Sequence, residues 1–128
     1  MKRIKTLHPP AYIDGVMQIY DIVDVPDPDS PDAPIRKIKN RGIGNVPFRM
    51  ISLYDRTRLT FEQAGIEINY KIAVPRWDGI TSNCICVIDS EQYKVYNVTQ
   101  TETRDGFEET EITLINPEVQ YEEATDTE

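Results

Sequence analysis

The sequence holds one histidine, His8, two cysteines, Cys84 and Cys86, and one tryptophan, Trp77. Each scarcity excludes a class of chemistry. One imidazole, set beside Pro9, is a poor general base, because a base must be held rigidly. No Ser-His-Asp set and no zinc-ligand spacing exists. The six glycines form no phosphate-cradling loop. Glu108 and Glu109 are neighbours on a predicted strand, so their carboxylates diverge. The expectation is a protein that is not an enzyme and takes no cofactor or metal. No apolar run approaches the roughly 20 residues of a membrane span, so no membrane partner is expected. The basic opening, Met1 to Lys5, lacks the apolar stretch of a signal peptide. Cys84 and Cys86 are read as small strand residues whose side chains point to opposite faces. Unpaired thiols fit a reducing cytoplasm.

Charge is present but unevenly placed. The 128 residues carry a net charge of −8, which argues against a surface that grips nucleic acid all over. Of the 14 Lys and Arg, most lie at or before Arg58, and from Glu102 onward only Arg104 opposes the acids. That length suits one domain. Met1 to Gly15, with Pro9-Pro10, reads as an extended N-terminal arm (1–15). Residues 118–128 read as an acidic tail, disordered in isolation and able to extend onto a neighbouring subunit or partner.

Between them, residues 16–117 read as one β-barrel domain. Met17 to Val25 is a predicted strand with mixed faces. Residues 26–47 are expected to form one long Pro/Asp-rich loop, because Pro26 to Pro34 (PDPDSPDAP) cannot sustain a ladder. Its second half, IRKIKNR, is basic. Val46 to Leu53 suits a short strand. Thr60 as N-cap and Gly65 as stop predict a short helix over Asp55 to Ala64.

From Ile66 the pattern is clearest. Ile66, Ile68, Tyr70, Ile72 and Val74 alternate with polar residues, the mark of a half-buried strand. Pro75 ends it and Asp78-Gly79 turns the chain. Cys84 to Ile88 and Gln92 to Val98, joined by Asp89-Ser90, predict a hairpin, with Tyr93, Val95 and Asn97 on one face. Phe107 to Ile115 is the last strand. Five to six short strands, one short helix and flexible termini give a mainly β fold, a small antiparallel barrel.

The run Tyr70 to Pro75, Gly79-Ile80, the Tyr-x-Val-Tyr-x-Val strand Tyr93 to Val98, and Phe107 to Leu114 resemble the tailed-phage head-closure family, also called head–tail connector, joining or stopper proteins. The resemblance covers the C-terminal half best. It implies a homo-oligomeric ring, twelvefold in family members, at the virion neck. Portal and adaptor proteins would lie above it, tail proteins below, and packaged double-stranded DNA in its channel. Synthesis would be in the host bacterial cytoplasm. It implies that an early loop, here within 26–47, closes the channel, with Arg36, Lys37, Lys39 and Arg41 as the candidate DNA contacts. Trp77 is either a plug at a barrel end or, with Arg76, an interface anchor. Tyr121 is a candidate interface residue on the tail. The competing expectations are a tail-completion protein and a small OB- or SH3-like module that binds nucleic acid.

Overall fold

The computed structural model describes residues 10–30, 32–51 and 68–124. Seven strands fill them: β1 (Gly15–Val25), β2 (Ile35–Asn40), β3 (Val46–Met50), β4 (Ile68–Pro75), β5 (Cys84–Ile88), β6 (Glu91–Glu102) and β7 (Glu108–Ile115). No helix occurs among the described residues, and the one expected over Asp55 to Ala64 lies outside them.

Six strands run β1-β3-β4-β7-β6-β5, and β5 returns to β1, closing an antiparallel barrel. The seam pairs Gln18–Asp21 with Cys84–Val87. Closure leaves the six barrel strands no free edge, so the outer edge of β2 is the exception. The interior is apolar: Met17, Ile19, Phe48, Ile72, Val95 and Leu114 are all buried. Gly15 lets β1 and β3 pack closely, since a Cβ there would fall 2.6 Å from the Phe48 ring.

β1 serves two structures. Gly15–Met17 pairs with β3, and on the same edge Tyr20–Val25 pairs with β2. The second half of β1 thus leaves the barrel as a ribbon with β2. This corrects the single loop expected over 26–47, which contains β2 and the start of β3. β2 was hidden because Ile38 is its only buried side chain. A long cationic strand of this kind forms by pairing with β1, and no apolar alternation announces it.

Two further expectations change. Cys84 and Cys86 do not diverge: residues two apart share a strand face, and both are fully buried in the core. In β6 an irregularity between Val95 and Asn97 resets the pleat, so Val98, not Asn97, is set against Ile112 and packs on the core.

The termini are held where they are described. Asp14 donates its backbone N–H to the Phe48 carbonyl, and its carboxylate accepts from the Met50 N–H at 2.8 Å. Tail residue Glu123 forms a parallel bridge to Ile38 on the outer edge of β2.

Candidate functional site

The basic residues of β2 separate by pleat. Ile38 enters the core side of the ribbon, and Arg36 shares its parity, while Lys37, Lys39 and Arg41 take the other. β1 supplies acids opposite them: Asp24 faces Arg36 and Asp21 faces Lys39 in the register. Arg36 reaches Asp24 at 3.8 Å in an exposed pair, an arrangement worth about 0–1 kcal/mol. Such a pair yields readily to another anion. Lys39 is exposed and Lys37 is half-buried.

Arg41 is a different object. Its Nε and Nη2 grip the Asp21 carboxylate at 3.1 and 2.5 Å. Nη1 donates to the Gly79 carbonyl at 2.8 Å, and Nη2 also approaches the Cys84 Sγ at 3.2 Å. The guanidinium lies 5.5 Å from the centre of the Trp77 ring, within cation–π range. The hydrogen bond from Arg41 holds the Asp21 carboxyl below the usual carboxylate range, against the opposing effect of burial. Arg41 therefore fastens the end of β2 to β1 and to the β4–β5 loop. It leaves the set of candidate DNA contacts, because its planar fork is already committed.

Trp77 follows β4 and packs half-buried on the core. Its backbone N–H donates to Thr110 Oγ1 at 2.8 Å, and its backbone carbonyl accepts from the Thr110 hydroxyl and from Gln100. Gly79 is required beside it, since a Cβ there would meet the indole nitrogen at 2.8 Å. The structure shows the ring packed on the core and in contact with Arg41. Arg76 stays at the surface, paired with Glu108 at 3.0 Å and with Asp78 at 3.7 Å. The structure thus joins Arg41 to Trp77 and keeps Arg76, Arg36 and Lys39 apart from that cluster.

Tyr121 is half-buried against its own chain. Gln92 clamps its backbone from both sides, donating to its carbonyl at 2.8 Å and accepting from its N–H at 2.9 Å. Ile38 then donates to the Glu122 carbonyl and accepts from the Ala124 N–H.

A second cluster went unread in the sequence. The Glu109 side chain is 1% exposed, yet it lies on the outward-facing side of β7. Arg49 grips it at 3.0 and 2.5 Å, and the Tyr12 hydroxyl donates to it at 2.9 Å. Burial pushes the Glu109 carboxyl up, but these hydrogen bonds outweigh it and hold the group below its ordinary range. Burial and the adjoining carboxylate push Tyr12 up to about 12. Tyr12, Arg49 and Glu109 lie far apart in sequence, and no spacing links them. With both carboxylate oxygens accepting from these donors, the trio latches the arm to the barrel wall.

Two open depressions are lined mainly by polar groups. One, about 310 Å³, is lined by Ser90, Glu91, Gln92, Asn116 and Gln120. No group of metal-binding side chains occurs among the described residues. No protein-family model matches the chain, and no curated protein matches it.

Proposed function

We propose that this chain is a structural part of the tailed-phage neck, a head-closure protein. In this reading its copies form a ring, twelvefold as in the resembled family, between portal and adaptor proteins above and tail proteins below. The ring retains packaged double-stranded DNA and offers the tail a docking face. Its action is steric and electrostatic, with no chemical step.

The observation that supports the reading best is the shared strand β1. Its first half builds a closed barrel, and its second half leaves that barrel with β2 as a ribbon capped by the Pro/Asp-rich turn. A closed barrel with one strand pair continuing past the closure suits a ring whose subunits each send one element toward a shared axis. Arg36 and Lys39 are then the phosphate contacts, since their side chains are solvent-facing and Arg41 is committed elsewhere. Acid-rich surfaces elsewhere would keep the duplex from sticking.

Gold-labelled antibody against this chain, applied to purified particles, tests the reading. Label at the head–tail junction is expected, and label elsewhere on the particle, or none, overturns it. Label that follows free tails lacking heads would mark a tail-completion part instead.

A further inference from the structure

Among the described residues, the outer edge of β2 is the one place where a segment outside the named strands bridges to the sheet. Antiparallel pairing with β1 uses one edge of β2. On the other, Ile38 receives the tail through two backbone hydrogen bonds, 3.0 Å to the Glu122 carbonyl and 2.8 Å from the Ala124 N–H. By the pleat, the backbone groups of Arg36 and Asn40 face the same way as those of Ile38. The parallel register, Glu123 opposite Ile38, sets Glu122 beside Lys37 and Ala124 beside Lys39. Two acids of the tail, Glu122 and Glu123, thus lie along a basic strand. The segment between β7 and this bridge contains Pro117, and it exposes Val119, which is 59% accessible. The tail crosses from the barrel to the ribbon through that segment, and Gln92 holds its backbone at Tyr121 on the way.

We propose that the tail is an exchangeable strand, and that its second occupancy is the β2 edge of a neighbouring copy of this chain. The backbone bonds, the acid-on-base complementarity and the Gln92 clamp are the same whether the tail comes from its own chain or the next. Closed and exchanged forms therefore differ only in the path of the residues around Pro117. Those residues are a hinge of the sort from which strand swapping starts. Exchange around a ring would link every subunit to the next without new surface, and would leave Val119 free to be covered at the junction. This deepens the ring reading and rests on it.

The test uses full-length chains and two cysteine positions adjacent in the parallel register, Lys39→Cys and Ala124→Cys. Mixed single variants, concentrated and mildly oxidised, are expected to give a disulfide-linked pair of chains on a non-reducing gel. A control mixture of Ala124→Cys with Asn69→Cys, exposed on β4, is expected to give none. The double variant Lys39→Cys/Ala124→Cys, oxidised while dilute, is expected to lock its own tail and stay single on concentration. After reduction it is expected to assemble. Assembly with no Lys39→Cys/Ala124→Cys link, or assembly that survives the locked tail, overturns the exchange and leaves the ring standing. A chain that remains single at every concentration and in the particle overturns both.

Discussion

Arg49 stands 32% exposed over a carboxylate that is 1% exposed, and that asymmetry decides what happens when either is cut away. Arg49→Ala leaves Glu109 buried and unpaired, which costs about 3 kcal/mol. Tyr12→Phe removes one hydrogen bond to the same carboxylate and costs about 1 kcal/mol. Urea midpoints of the two variants should keep that order. Protons give an independent check. Glu109 and Asp21 both titrate below the ordinary carboxylate range when folded. The unfolded chain therefore binds their protons first as pH falls, and stability drops with acid through and below that range. Tyr12 acts at the other end. Its pKa is raised from 10.0 to about 12. Between these values the folded chain keeps a proton that the unfolded chain has lost, so stability falls as pH rises through this window. Thermal melts across both ranges should show both declines, and Tyr12→Phe should make the alkaline one shallower, the remainder coming from Cys86 and Tyr93, which burial also pushes up. The β5–β6 turn supplies a change of opposite sign. Asp89 and Ser90 sit at φ of 51° and 67°, where L side chains are strained. Ser90→Gly relieves the second and should raise stability by about 0.5–1 kcal/mol in the same melts.

β2 and the tail are the elements that most repay perturbation. Gln92→Ala removes both hydrogen bonds to the Tyr121 backbone. The amides of Ile38 and Ala124 should then exchange with solvent at least tenfold faster, while that of Ile112, deep in the barrel, stays protected. Hydrogen-exchange mass spectrometry on peptides covering the three reads this directly. The same elements show where sequence reasoning stops. β4, β6 and β7 were legible because each alternates apolar and polar residues, and β5 because it is a short apolar run closed by a turn signal. Cys84–Ile88 was legible to the residue. β2 was not, since a strand that buries only Ile38 carries no period to detect. The phase of β6 past Val95 failed for another reason: an extra residue in one strand shifts every later side chain, and nothing local marks it. Tyr121 was singled out as an aromatic on a polar tail, but its partner Gln92 is 29 positions away. The Arg41 cluster draws on β1, the β4–β5 loop and β5, elements brought together only by barrel closure.

At the scale of the molecule, charge governs what the isolated chain can hold. A net charge of −8 with Arg41 sequestered leaves few cations for a polyanion. Duplex DNA should bind a single chain weakly, and the double variant Arg36→Ala/Lys39→Ala should lower the logarithmic salt slope by no more than about 2. Titrations at two salt concentrations check this. Tight, steeply salt-dependent binding by the single chain would instead favour a small nucleic-acid module. The barrel seam has a consequence of its own. β1 meets β5 at Asp21 and Cys84, 63 positions apart. On the ribosome the first strand emerges long before its partner has been translated, and its bonding groups stay bare in the interval. Synthesis order thus makes the nascent chain sticky until β5 arrives, and makes speed of elongation through the middle of the message a determinant of yield.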